Sequence, residues 1–288
     1  MEKYKLSACT FIKNAKAGFC LYESMASWLP FVDEFVVLDL GSTDGTLEVL
    51  HEIAGRNPKI KVHQGGFTRN DASAFADVMN QAISLCKGSN VLAYQSDEIP
   101  HERLILRAVE YFERGEFDLS FWRYQLRENF QVMKWPPHPV HRVGRKDGSF
   151  VFVVDGMNTE RTWDAKICSE WDGGNYIQWG DKYKDDYTKL PTYDMILDVG
   201  KSGAFRDTIA WRAELHFPFW TDSEPVVDGV PVPRWLEGAK GNDNWTKPET
   251  AFDIPQIMRF HLGKTEYFLR RSLFDALCNN TTRDFLGI

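Results

Sequence analysis

Over roughly the first 125 residues, short unbroken apolar runs alternate with stretches of helical spacing. Leu6–Ile12, Glu34–Leu40, Lys59–His63, Asn90–Gln95 and Asp118–Tyr124 read as strands. Such short continuous runs fit strands covered on both faces. Between them, Ala17–Leu29, Asp44–Ala54, Ala72–Lys87 and His101–Arg114 carry helical periodicity. Pro30, Gly88 and Gly115 supply stop signals, since proline lacks the amide and glycine accepts the helix-ending conformation. Strands alternating with helices predict an α/β fold, with a mainly parallel sheet flanked by helices.

Beyond that point the rhythm breaks down. Trp135-Pro136-Pro137, Asp172-Gly173-Gly174 and Pro225–Pro233 are loop signals. Ser149–Val154 is strand-like and Lys264–Leu277 regains helical spacing. The chain therefore divides into a core over 1–125 and a region over 126–288. The second region completes the sheet, adds large irregular loops and ends in a helix.

In open parallel sheets, ligands bind beyond the carboxyl ends of the strands. Three predicted strand ends carry polar clusters: Lys13-Asn14, Asp39 to Asp44, and Ser96-Asp97-Glu98. On one sheet edge they would converge on one site. Gly41-Ser42-Thr43-Asp44-Gly45-Thr46 joins a strand to a helix, where turn amides and the helix N-terminus favour anions. Capping explains part of that pattern. Neither the Gly-Lys-Ser/Thr phosphate loop nor the G-x-G-x-x-G dinucleotide fingerprint is present. Asp97-Glu98 directly follows a buried strand, so either acid is a candidate ligand for Mg²⁺ or Mn²⁺, or a cap for the next helix.

In order and spacing, Lys13-Asn14, then Phe35 to Thr46, then Asn80-Gln81-Ala82-Ile83, then Tyr94 to Glu98 resemble glycosyltransferase family 2. Tyr94-Gln95-Ser96-Asp97-Glu98-Ile99-Pro100-His101-Glu102 looks like a subgroup whose metal motif reads Gln-x-Asp-Glu followed by His-Glu. The likeness covers about residues 5–125 and fragments after that. It implies a GT-A, Rossmann-like fold, with a nucleotide-sugar-binding core at 1–125 and acceptor-side loops within 126–288. It also implies a nucleotide-diphosphate sugar donor and a divalent metal, Mn²⁺ or Mg²⁺. By analogy Asp39 and Asp44 lie by the base and ribose, joined by Asn14, Ser42, Thr43, Gln95 and Ser96, and Asp97 holds the metal. Gln95 stands where the usual first acid stands, and Met79 where many relatives carry arginine before Asn80. His141 to Gly148 resembles the family's arginine-rich strand, and Phe260-His261-Leu262-Gly263 its C-terminal His-x-Gly, which makes His261 a second metal ligand.

Transfer chemistry adds two requirements. A diphosphate leaving group needs positive charge, for which Arg142, Arg145 and Lys146 are candidates. An inverting transfer needs a general base. Asp155 ranks first because it ends a strand-like run beside Gly156, with Glu160, Glu170 and Asp172 behind it. The expected activity is hexosyl or pentosyl transfer, with a uridine diphosphate sugar favoured. The acceptor is open, a modified nucleobase in DNA among the options. The weighed alternatives are a nucleotidyltransferase, which would show a Gly-rich loop absent from Leu6–Lys16, and a non-catalytic nucleotide- or sugar-binding protein.

Composition changes this picture little. A net charge of −7 argues against nucleic acid as the main partner. Five cysteines, none in a C-x-x-C pair, read as reduced core thiols in a cytoplasmic protein. Neither a signal-peptide core nor a membrane-length apolar run is expected.

Overall fold

The structure is a computed structural model that describes residues 5–15, 20–68, 74–96, 98–127, 132–153, 158–159, 226–227, 230–231, 244–246, 255–261 and 268–288. The predicted alternation is present: β1 (Leu6–Ile12), α1 (Leu21–Trp28), β2 (Glu34–Asp39), α2 (Thr46–Arg56), β3 (Ile60–Gln64), α3 (Ala74–Leu85), β4 (Asn90–Ala93), α4 (Glu102–Glu113) and β5 (Leu119–Arg127). Then follow β6 (Val132–Arg145), β7 (Phe152–Val153), β8 (Asn158–Thr159), β9 (Val226–Val227), β10 (Val230–Pro231), β11 (Asn244–Thr246) and α5 (Arg271–Asn279). Strands β4, β1, β2 and β3 lie side by side in parallel, and β6 continues the sheet antiparallel to β4.

Alternation along the strands assigns the two faces. Ala8, Ile12, Phe35, Val37 and Leu92 pack with α1, α2, α4 and α5. Cys9, Val36, Leu38, Val91 and Ala93 pack with α3, Phe150 and Phe152. With both faces covered, every residue of β2 is buried, which is why its middle, Phe35–Leu38, is apolar without a break between Glu34 and Asp39. Of the cysteines, Cys9, Cys20, Cys86 and Cys278 are buried and none is in a disulfide. Burial and the adjacent Cys86 raise the Cys9 thiol. Cys168 lies outside the described residues. No helix among the described residues is long and apolar enough to cross a membrane.

The second half corrects three local expectations. Trp135-Pro136-Pro137, a loop signal in the sequence, lies inside the fourteen-residue strand β6. The pairing of β6 with β5 jumps from Arg123↔His138 to Gln125↔Lys134, so both prolines fall in the irregularity. A proline lacks the amide a ladder needs, and a bulge removes that demand. Pro225–Pro233 contains the short hairpin β9–β10 rather than loop alone. The final helix begins at Arg271, not Lys264; Phe268, Leu269 and Arg270 are extended or irregular before it. Asp172-Gly173-Gly174 lies outside the described residues.

Strand β6 and the loop after it are closely fitted at Gly144. A Cβ there would lie 2.3–2.7 Å from Phe150, whose own ring meets His141 and Phe152 edge-on. Gly144→Ala should therefore destabilise the fold by about 1–3 kcal/mol, the range for overpacking a filled core. Urea denaturation measures it; a change within about 0.5 kcal/mol, typical of neutral surface sites, would show that Phe150 yields freely.

Candidate active site at the carboxyl edge of the sheet

Strands β1, β2 and β4 end at one edge, in register: Ile12 pairs with Asp39, and Cys9 with Ala93. The residues just beyond each end are thereby gathered. The first two clusters are bonded directly. Asn14, buried and left-handed at φ 56°, accepts the Thr43 amide on Oδ1 at 2.8 Å, and its own amide donates to Ser42 Oγ at 2.9 Å. Asparagine tolerates that conformation better than most side chains. The Ala15 amide donates to Thr46 Oγ1 at 2.9 Å.

Asp39 shapes the turn. Its Oδ2 accepts the amides of Gly41 and Ser42, each at 3.0 Å. Gly41 takes φ 83°, a conformation glycine adopts without strain. Asp39 is wholly buried, yet Oδ1 has no hydrogen-bond partner among the described residues. Asp44 accepts the Thr46 amide at 3.0 Å and so opens α2, with Gly45 left-handed at its N-cap. The Tyr22 hydroxyl stands nearby; burial first, then the Asp44 carboxylate, raise it far above the ordinary phenol.

The third cluster is braced from below. The Glu98 amide donates to the Gln95 carbonyl at 3.0 Å, and the Gln95 amide returns to Glu98 Oε2 at 3.2 Å. Arg142 completes the brace, Nε to Oε2 at 2.8 Å and Nη2 to Oε1 at 2.7 Å. Both partners are essentially inaccessible, at 0% and 1% exposure. Glu98 is thus committed to Arg142 and to its own turn. It does not cap the next helix either: His101 Nδ1 accepts the Arg103 amide at 3.2 Å and caps α4. Gln95 and Ser96 are buried beside it, and the Gln95 carbonyl accepts from Ser24 Oγ of α1 at 3.4 Å.

The predicted basic residues separate. Because β6 runs antiparallel to β4, Arg142 sits near the carboxyl edge while Arg145 pairs with Asn90 at the opposite end. Arg145 is exposed there, and Lys146 Nζ is bonded to the carbonyls of Ser84 and Cys86. Neither is brought to the site. Met79 is buried in the core against the sheet, and Asn80 holds β7 through both the amide and the carbonyl of Phe152, at 2.8 and 2.9 Å. Asp97, Asp155, Glu160, Glu170 and Asp172 lie outside the described residues.

His261 comes from a different direction. Its segment forms a 3-10 turn, Gln256–His261, where the sequence reads as a strand-like approach. Nε2 lies 2.7 Å from Glu23 Oε1 of α1, and the ring meets Phe260 and Phe268 edge-on. Both side chains are buried, at 4% and 0% exposure. Sequence reasoning missed Glu23. The available signal was an acid inside Leu21–Trp28, a helix otherwise apolar or small and buried at every position. A charge in such a place needs a partner. Among the described residues no three His, Cys, Asp or Glu side chains group as a metal site.

A family model described as glycosyl transferase family 2 matches residues 20–166. No curated protein matches the chain. Among solved structures, S. aureus TarS 1–349 is 18% identical over 55% of this chain and 52% of its own, with a TM-score of 0.38. Glucosyl-3-phosphoglycerate synthase from Mycobacterium tuberculosis, in complex with Mn²⁺, uridine diphosphate and phosphoglyceric acid, is 22% identical over 42% of this chain and 43% of its own, at 0.30. A mannosyltransferase from Pyrobaculum calidifontis, in complex with GDP-Man and Mn²⁺, is 17% identical over 44% of this chain and 36% of its own, at 0.32. The chain thus spans about half or less of the length of each.

Proposed function

Because the chain belongs to glycosyl transferase family 2, we propose that it moves a sugar from a nucleoside diphosphate donor, bound at the carboxyl edge of the sheet, to an acceptor hydroxyl. The observation that carries this reading is Asp39: a wholly buried carboxylate with one oxygen fixed by two turn amides and the other without a hydrogen-bond partner among the described residues. Leaving a buried acceptor unmet is costly, so a ligand that donates to Oδ1 gains correspondingly. A carboxylate only accepts. Uracil, thymine and guanine offer it a ring N–H, whereas cytosine and adenine offer an exocyclic amino group. Uridine is favoured.

Thr43 and Asp44, on the turn that opens α2, would take the ribose and the near phosphate. A divalent cation, Mn²⁺ or Mg²⁺, would be held by Asp97 with His261. Such ions, when shared with a substrate, keep few protein ligands and fill the rest with phosphate oxygens and water. When bound, the cation supplies Lewis-acid neutralisation of the departing diphosphate. Buried Gln95 and Ser96 would face the donor from the adjoining turn. Asp155, with Glu160 as the second choice, would take the proton of the acceptor hydroxyl as it attacks the anomeric carbon and the bond to the diphosphate breaks, inverting the configuration. Asn80 contributes by clamping Phe152, at the start of the segment that leads to Asp155.

Two measurements test the reading. Mn²⁺-dependent release of nucleoside diphosphate from a panel of nucleotide sugars should favour uridine donors; no release from any of them would end the proposal. Asp39→Asn keeps an acceptor for the turn amides but puts an amide group or a neutral oxygen against the base. Uridine diphosphate affinity should fall about 10- to 100-fold, the value of a hydrogen bond to a charged group. Calorimetry showing equal affinity for the uridine and cytidine diphosphates, unchanged in the variant, would remove Asp39 from base recognition.

A further inference from the structure

Strand β3 is the fourth parallel strand to end at the carboxyl edge, and Gly65-Gly66-Phe67 follows it in place of a polar cluster. Its last residue, Gln64, pairs with Asp39, and the next amide, of Gly65, donates to the Asp39 carbonyl at 2.8 Å. The chain leaves the strand pressed against β2: a Cβ on Gly65 would stand 2.8 Å from Leu38 Cδ1 and 3.0 Å from Gln81 Oε1. Phe67 comes two residues later, within about 7 Å of Gly65 at full extension. Its ring meets Phe75, in the first turn of α3, edge-on with centroids 5.5 Å apart, and Phe75 meets Phe11 of β1 at 6.1 Å. The adjoining Thr68 Oγ1 donates to Asp77 Oδ2 of α3 at 2.9 Å. The Phe67 ring is thus supported from the α3 side, yet 43% of the residue stays exposed.

A single exposed phenylalanine is ordinary on a protein surface. This one is anchored beside Asp39, a wholly buried carboxylate whose Oδ1 has no hydrogen-bond partner among the described residues. A base that donates to Oδ1 is held by its edge and still has two flat faces in water. None of the three polar clusters contains an aromatic ring to cover them. Tyr22 of α1 stands by Asp44 on one side of the edge, and Phe67 stands on the α3 side. We propose that Phe67 is the stacking surface for the base of the donor, lying against one face while Asp39 meets the edge. Stacking on a ring is tolerant of the base, because every base has a π-face. The two residues therefore divide the work: Phe67 supplies affinity and Asp39 supplies discrimination. The inference rests on the donor site proposed above and adds the residue that covers the base.

The test titrates the full chain with uridine and cytidine diphosphates by calorimetry, with Mn²⁺ present. Phe67→Ala should weaken uridine diphosphate about 5- to 100-fold, the usual value of one base stacked on one ring. Phe67→Leu keeps apolar bulk without a π-face and should lose most of that affinity, whereas Phe67→Tyr should keep it. The preference between the two nucleotides should stay as in the wild type in all three variants, and shift only in Asp39→Asn. Affinity within about twofold of wild type in Phe67→Ala overturns the proposal. So do equal losses in Phe67→Leu and Phe67→Tyr, or a changed preference in any Phe67 variant. If Asp39→Asn loses affinity and the Phe67 variants do not, the donor site stands and the role of Phe67 falls. If the wild-type chain binds neither nucleotide, both fall. Should the variants fail to fold, nuclear Overhauser contacts in the wild-type complex decide the matter. Contacts between the uracil H5 and H6 protons and the Phe67 ring are expected; their absence overturns the proposal.

Discussion

Asp97→Ala is expected to lower metal-dependent transfer on the order of 10³-fold, about 4 kcal/mol of lost stabilisation for a diphosphate leaving group. Asp97 and Glu98 are adjacent acids after a buried strand, and from residue type either would serve an oxygen-loving ion. Glu98 is already engaged: Oε1 takes Arg142 Nη2, and Oε2 takes Arg142 Nε and the Gln95 amide. A carboxylate bonded in this way has little left to offer a cation. Asp97 is then the acid of the motif that we propose for the metal. Donor turnover measured against Mn²⁺ concentration checks it, with thermal melting as the control for folding. Near-normal turnover with unchanged metal dependence would show that the ion is held elsewhere.

Arg142→Met should have the largest effect on stability. Methionine replaces the aliphatic stem but leaves the Glu98 carboxylate buried, with the guanidinium gone. Removing one partner of a buried ion pair costs about 3–5 kcal/mol, mostly through the stranded charge. For a chain of this size that corresponds to a melting point lower by roughly 10 °C. Adding Glu98→Gln to Arg142→Met should recover part of the loss, because the stranded group is then neutral. A loss below about 1 kcal/mol in the single variant would mean that solvent reaches Glu98. Together the two variants separate the adjacent acids by what they lose: Asp97→Ala loses turnover in a stable protein, and Arg142→Met loses the protein's stability.

Much of the core was legible in the chain because its signals are local. β1 follows the run Leu6–Ile12 to the residue, and β2 ends one residue before the predicted Leu40. A strand covered on both faces is apolar along most of its length, and no distant residue is needed to see it. The three polar clusters were legible for the same reason. Each follows a strand directly, and parallel strands put all their carboxyl ends on one edge. Gly41 and Gly45, both left-handed, were visible as the glycines of a turn.

Tertiary structure alone decided which charged groups serve the site and which serve the fold. In sequence, Arg142 and Arg145 are equivalent candidates, three positions apart on one strand. The antiparallel run of β6 sends Arg145 to the far edge and buries Arg142 against Glu98. Nothing local encodes that direction, because it depends on how a strand forty-odd residues beyond β4 pairs with it. The prolines of Trp135-Pro136-Pro137 likewise signalled a loop until a bulge against β5 accommodated them. Glu23 and His261 lie at opposite ends of the chain, and the family motif named only the histidine. Their meeting depends on α1 being wrapped on all sides, and a carboxylate sealed from water in that way takes a partner from whichever segment closes over it. Periodicity reports burial within an element; the identity of the group that satisfies a buried charge is settled only when distant elements pack.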